Sequence, residues 1–330
     1  MGWQTPLPIL RPVRPTDEPV LGDPGERWLA SGRCTDVTDS APDVSFVVPA
    51  RNEAANIGAC VDALVRQGDH ARVEVIVVDN GSSDDTGAIA RAHGARVVHE
   101  PRPGLAHARQ AGLAAAQADI LVYVDADTIL PAGWAAQAVA EFDRNPRLVA
   151  FSPAFHFHDG RLVDNVGNAI FREVLCPMTN AFLLALGRAG ILIGSTMALR
   201  TGALRVAGGV DQAFQFYGED TMIARRLAKF GEVTFLQRPR LHTSARRYQD
   251  RGLVHVVYRY FTIFLLIQLG RIAMAGRLAR TYYDCDRGAM RGERCRAMLM
   301  SALRREQEQH DHSPAQEDLT PADPLLRLDT

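Results

Sequence analysis

The sequence predicts an α/β protein with a mostly parallel central sheet flanked by helices and a helical segment toward the C-terminus. Three observations carry the prediction. Short, nearly continuous β-branched runs recur between residues 44 and 151. Segments with helical apolar spacing separate them. The strongest runs end on polar or acidic clusters, as strands buried on both faces do where they leave the core. With 330 residues, 47% hydrophobic and 23% charged, the chain can build a large core and is too apolar for wholesale disorder.

The elements follow in order. Residues 1–42 carry Pro6, Pro8, Pro12, Pro15, Pro19 and Pro24 without a helical period, and read as a Pro-rich extension lacking the apolar run of a secretion signal. The first strand is expected at Val44–Val48, ending at Pro49. Ala54–Arg66 follows as a one-sided helix, with Ile57, Cys60, Val61, Leu64 and Val65 on its apolar face. Val73–Val78 is the second strand, ending at Asp79, and Asp84–Ala92 the second helix. Arg96–Val98, the helix Leu105–Ala116 and the strand Ile120–Val124, ending at Asp125, continue the alternation; Leu148–Phe151 and Val233–Leu236 are weaker strands. Such alternation implies right-handed crossovers, and ligands then bind beyond the carboxyl ends of the strands.

Residues 165–200 are rich in Ala, Leu and Ile and poor in charge, which fits either an ordinary core helix or a surface for an apolar, lipid-linked acceptor. Leu253–Leu269 is strongly apolar but interrupted by His255 and Arg259. Residues 238–280 hold nine arginines and one aspartate, a local charge of +8 in a chain of net −1. A basic, apolar helix beside a catalytic domain reads as a membrane-surface element drawn to anionic lipid through residues 250–280, or as a helix packed on the core. Arg259 argues against spanning. Residues 306–330, with seven acids, one arginine and three prolines, read as an acidic flexible tail.

Thirty-seven basic and 38 acidic residues argue against nucleic acid as a partner. The five cysteines, odd in number and without a C-x-x-C pair, argue against a disulfide framework or zinc site and for a reducing, cytoplasmic compartment.

Chemistry concentrates at the strand ends. Asp125-Ala126-Asp127 places two carboxylates after a buried strand, where charge is costly unless solvated or met by a cation; hard oxygen ligands suit Mg²⁺ or Mn²⁺. Asp79 stands at another strand end, before a Gly81 turn and a Ser-Ser-Asp-Asp run that reads as helix capping. Glu219 and Asp220 open an amphipathic helix, where they either serve its N-terminal dipole or present a general base. A nucleotidyltransferase would need a Gly-rich basic loop after the first strand, and a dehydrogenase G-x-G-x-x-G; Pro49-Ala50-Arg51-Asn52-Glu53 is neither.

Val47-Val48-Pro49-Ala50-Arg51-Asn52-Glu53, Val77-Val78-Asp79-Asn80-Gly81-Ser82-Ser83-Asp84-Asp85-Thr86, Asp125-Ala126-Asp127, and Gly208-Gly209 with Gly218-Glu219-Asp220 together resemble family 2 of the inverting glycosyltransferases over roughly residues 44–248. The resemblance implies a GT-A fold, with a Rossmann-like nucleotide-sugar half and an acceptor-side half over residues 43–248. It implies a nucleotide-diphosphate sugar donor, a UDP-sugar by default, an acceptor hydroxyl, and Mg²⁺ or Mn²⁺. By the same resemblance Asp79 would bond the nucleobase, and the turn holding Pro49, Arg51 and Glu53 would contact base and ribose. Asp125 would lie near ribose and metal, Asp127 would bind metal, and Asp220 would be the catalytic base. Gly208, Gly209, Asp211 and Glu219 would stand on the acceptor side. The chain departs from processive members in lacking Q-x-x-R-W; Leu241-His242-Thr243-Ser244-Ala245-Arg246-Arg247-Tyr248 stands there instead. Arg246 and Arg247 read equally as donor-phosphate partners or a basic surface loop. His242 is a candidate third metal ligand beside its reading as a structural histidine. His156 and His158 share a face if extended, but lack a third ligand. A catalytically silent domain of the same fold is the remaining alternative.

Overall fold

The computed structural model describes residues 41–286. Most of the Pro-rich extension, the acidic tail and the segment 287–305 lie outside the described residues.

Seven strands form one sheet in the order β3-β2-β1-β4-β6-β5-β7. The first half is built as expected. Strands β1 (Val44–Ala50), β2 (Val73–Asp79), β3 (Arg96–His99) and β4 (Ile120–Val124) alternate with helices α1 (Ile57–Val65), α2 (Thr86–Ala92) and α3 (Leu105–Ala115). β1 pairs in parallel with both β2 and β4, with Ala50 opposite Asp79. Three parallel strands therefore end together, and the polar residues after each converge on one edge.

The second half departs from the expectation. Helix α4 (Trp134–Arg144) leads into β5 (Leu148–Phe157), which runs ten residues rather than four. A strand the sequence does not announce, β6 (Thr196–Arg200), is antiparallel to both β4 and β5. β7 (Glu232–Thr243) is twelve residues long and parallel to β5, with two register shifts. Between β5 and β6 lie α5 (Leu162–Ile170), a π-helical turn (Phe171–Leu175) and α6 (Cys176–Ala185). These are not a core helix: Leu162, Met178 and Phe182 are 82%, 67% and 63% exposed. Helices α7 (Thr201–Val206) and α8 (Glu219–Leu227) follow, and after β7 come α9 (Arg246–Arg251), α10 (Leu253–Gln268) and α11 (Ile272–Asp286).

One face of the sheet packs Val44, Phe46 and Val48 against α1 and α4, where fully buried Trp134 lies between Phe46 and Phe151. The other packs Val47, Tyr123 and Met197 against α3, α7 and α8. A smaller core joins Phe214, Tyr217 and Met222 to Ile263 and Ile267 of α10 and Leu278 and Tyr282 of α11. Arg259, the charge that interrupts α10, is turned inward: it is 6% exposed, donates to Asp286 and lies 4.7 Å over the Tyr282 ring. Cys60 and Cys176 are buried free thiols, whereas Cys285 is disulfide-bonded, so an odd cysteine count did not exclude a disulfide.

Candidate active site

The turn after β1 is locked to the turn after β2. Asn52 sits at φ +54°, a left-handed conformation that asparagine tolerates better than most residues. Its amide donates to Ser82 Oγ and its Oδ1 accepts from the Ser83 amide. The Glu53 amide donates to Thr86 Oγ1 and that of Ala54 to Asp84 Oδ2. The Ser-Ser-Asp-Asp run thus braces the Pro49–Glu53 turn rather than only capping α2. Asp79 accepts from the Ser82 amide, and a Cβ on Gly87 would stand 3.0 Å from Asp79 Oδ2, so glycine there leaves room for the carboxylate.

The Asp125-Ala126-Asp127 turn leaves β4 beside these residues. The Asp125 amide donates to Ser195 O, and Thr128 Oγ1 bonds Thr243 Oγ1, tying the turn to β6 and β7. Burial pushes the Asp125 carboxyl up to about 6, against the opposing Arg109 charge and with Asp127 adding to the rise. Asp127 is raised too, by burial first, with Arg246 opposing. Arg246 Nη2 lies 2.7 Å from Glu53 Oε1 and 3.3 Å from Asp127 Oδ2. It therefore meets the acidic cluster directly and is not an unengaged surface residue. Arg247 turns elsewhere: it donates to Tyr260 Oη and lies 4.4 Å over the Phe216 ring.

Glu219 and Asp220 open α8 after Gly218, itself at φ +83°. Asp220 Oδ2 accepts from the Gly194 amide at 3.0 Å and Oδ1 from the Thr221 amide at 2.6 Å; burial raises its pKa. Glu219 Oε1 accepts from Arg109 Nη1 at 2.8 Å, while Oε2 has no partner among the described residues. Burial, then the adjacent Asp220, pushes Glu219 up to about 8 against the pull of Arg109. Sequence reasoning missed Arg109. It is 1% exposed, also donates to Gly194 O at 2.6 Å, and so fixes the loop that touches Asp220. The signal was available: Arg109 lies on the buried stripe of α3 with Ala106 and Leu113, where an unpaired cation is costly.

Other predicted residues play different parts. Gly208 and Gly209 turn the chain at φ +87° and +71°, and Asp211 pairs with Arg226 at 2.7 Å. His242 does not join Asp125 and Asp127. Leu241 packs into the core and Thr243 bonds Thr128, so strand alternation turns His242 to the opposite face, beside His156. No group of three His, Cys, Asp or Glu side chains able to hold a metal occurs among the described residues. The candidate metal set from this chain is therefore the Asp125–Asp127 pair.

Comparison with known proteins gives a consistent setting. The Glycosyl transferase family 2 model matches residues 45–207. An uncharacterized glycosyltransferase of Mycobacterium tuberculosis is 42% identical over 106 residues, covering 32% of this chain and 46% of that protein. Glucosyl-3-phosphoglycerate synthase of Mycolicibacterium paratuberculosis is 36% identical over 125 residues, covering 33% and 38%. The chain thus spans less than half the length of these relatives. A crystal structure of the Mycobacterium tuberculosis synthase with Mn²⁺, UDP and glucosyl-3-phosphoglycerate aligns at TM-score 0.50 and 25% identity, over 69% of this chain and 80% of that one. Another, with Mg²⁺ and UDP, aligns at 0.51 and 23%, over 77% and 85%.

Proposed function

Residues 45–207 belong to glycosyl transferase family 2, and from that premise we propose that this protein is a non-processive inverting glycosyltransferase. It moves one sugar from a nucleotide-diphosphate donor, a uridine donor by default, to an acceptor hydroxyl. The observation that carries the reading is convergence: Glu53, Asp79, Asp125 and Asp127 leave neighbouring parallel strands on one edge, and Ser195 O links their cluster to the Gly194 loop that holds Asp220.

Asp220 is the general base. Burial raises its pKa, which improves proton acceptance, and the Gly194 and Thr221 amides fix its two oxygens. It takes the acceptor hydroxyl proton as that oxygen attacks the anomeric carbon on the face opposite the diphosphate, so configuration inverts. Asp79 and the Pro49–Glu53 turn, with Arg51 exposed on it, hold base and ribose. Arg246 offers a bidentate donor to phosphate. Asp125 and Asp127 fit a divalent cation: two carboxylates raised by burial, with Asp127 also opposed by Arg246, gain from an added positive charge. Mg²⁺ or Mn²⁺ bound there would neutralise the diphosphate leaving group. The relative crystallised with Mn²⁺ and UDP supports that choice.

A phosphorylated acid supplies the acceptor in a relative whose complex holds glucosyl-3-phosphoglycerate. The exposed apolar faces of α5 and α6 favour a lipid-linked or envelope acceptor, reached from the cytoplasmic side of a membrane. The domain limits, with catalysis within residues 43–248 and helices from 249, belong to the same proposal.

A thermal-shift series with UDP, GDP, TDP and CMP, with and without Mn²⁺, tests the donor site. UDP at ~100 times its dissociation constant should stabilise by about 2.7 kcal/mol, and only with metal. Asp220→Asn should keep that shift while losing turnover by roughly 10²–10⁴-fold. A shift with no nucleotide would instead support a catalytically silent domain.

A further inference from the structure

The two adjacent arginines that open α9 face different parts of the molecule. Arg246 reaches Glu53 and Asp127 at the strand ends. Arg247 lies 4.4 Å over the Phe216 ring, and its Nη1 donates to Tyr260 Oη of α10 at 2.7 Å. A guanidinium on an aromatic face within about 6 Å is attracted by the ring quadrupole. Phe216 stands four residues before Asp220, with only Tyr217, Gly218 and Glu219 between them.

That short run is held from outside. Gly218, at φ +83°, lends the chain no stiffness of its own. Tyr217 is 1% exposed, its Oη donates to Asp286 Oδ2 at 2.6 Å, and its ring meets the Tyr260 ring edge-on at 5.0 Å. A Cβ on Gly218 would stand 2.6 Å from Ile263 Cγ2, so α10 presses directly on the residue that opens α8. Arg247 completes the clamp, because it touches Phe216 on the loop and Tyr260 on the helix that the loop packs against. Its charge also reaches Asp125, behind burial, Arg109 and Asp127 among the influences on that carboxyl.

We propose that Arg247 is a positioning residue: by joining Phe216 to Tyr260 it fixes the loop from which Asp220 enters the site, and so serves the transfer step rather than donor binding. Asp220's role as base rests on the glycosyltransferase reading above; the link from Arg247 to its loop does not. With Arg246 on the acidic cluster and Arg247 on the base loop, two consecutive residues set the separation of donor and base. In-line transfer is sensitive to that separation, since a misplacement of about 1 Å can cost about 10²-fold in rate.

Three measurements on the full chain with Mn²⁺ test it. UDP release from UDP-glucose, with water as acceptor, gives kcat and KM. Titration gives UDP affinity. Amide hydrogen exchange follows Gly194 and Thr221, whose N–H groups donate to Asp220, with β1 amides as the control for the fold. Arg247→Met should lower kcat by roughly ten-fold or more, with KM and UDP affinity nearly unchanged, and should speed exchange at Gly194 and Thr221 alone. Phe216→Leu, which removes the other side of the contact, should do the same. R247M/F216L should be no worse than either single variant, because both remove one interaction. Arg246→Met should instead raise KM. Weakened UDP binding with kcat retained in Arg247→Met would make Arg247 a donor-phosphate partner and overturn the proposal, as would losses that multiply in the double variant. Where wild type releases no UDP, exchange decides: faster Gly194 and Thr221 amides in Arg247→Met support the link, and unchanged ones overturn it. A wild type that does not bind UDP at all removes the donor reading, while the exchange result still judges the link.

Discussion

One guanidinium, that of Arg109, faces three buried or half-buried acids: Asp125, Glu219 and Asp220. It cannot neutralise them all, and Glu219 is pushed up to about 8 by burial and then by Asp220. The sign of the consequence is definite. A carboxyl whose folded pKa is raised stabilises the fold below its unfolded value and loses that contribution as pH rises through the folded one. Wild-type stability should therefore fall as pH climbs from about 5 to about 8. Glu219→Gln, which still accepts from Arg109, should flatten that fall, read as the melting temperature across the range without metal. A parallel decline in both proteins would remove Glu219 as its source. At this scale the strand-end acids were legible because a charge directly after a buried run demands a partner. Arg109 and the Arg246 bridge were not, because each reaches its partner across more than a hundred residues of chain.

Element by element, the parallel half could be read and the second half only in outline. Strands β1, β2 and β4 are buried on both faces, so their runs are continuous. Strand β6 spans only Thr196–Arg200, reversed between β4 and β5, and five residues of mixed character carry no period of their own. The apolar face of α5 and α6 misled for a different reason: periodicity tells which residues share a face, not whether anything covers it. Helix α3 shows what close packing demands. A Cβ on Gly112 would stand 2.1 Å from Val47 Cγ1, in the middle of β1. Alanine gains about 1 kcal/mol in helix propensity over glycine, but overpacking against a stiff β-branched neighbour costs typically 1–3 kcal/mol. Gly112→Ala should be net destabilising in urea denaturation, and Val47→Ala in the same chain should recover most of the loss. Stabilisation by Gly112→Ala alone would mean that α3 shifts freely on the sheet.

For the molecule as a whole, two apolar surfaces lie close together. Leu162, Val166, Met178, Phe182 and Leu186 are more than half exposed along α5, α6 and the residue that follows. On α10, Val257, Phe261 and Leu265, continued by Leu269 just past its end, form an exposed i, i+4 stripe, while Arg259 on the inner face is held by Asp286. Arg188 Nη1 donates to Gln268 O at 2.6 Å and joins the ends of the two surfaces. Patches this extensive mark interaction surfaces. Of the nine arginines in residues 238–280, Arg240, Arg246, Arg251 and Arg259 already pair with carboxylates of the chain, so only part of the formal charge of +8 faces outward to meet an anionic lipid. No helix among the described residues is long and apolar enough to cross a membrane. The protein should float with phosphatidylglycerol vesicles at low salt, and about 0.5 M salt should weaken the attraction by shortening the screening length. M178S/F182S should reduce flotation while leaving the UDP shift intact, since neither residue belongs to the strand-end cluster. A wild-type protein that stays at the bottom of the gradient would sink the membrane reading, and flotation undiminished in M178S/F182S would confine the contact to α10.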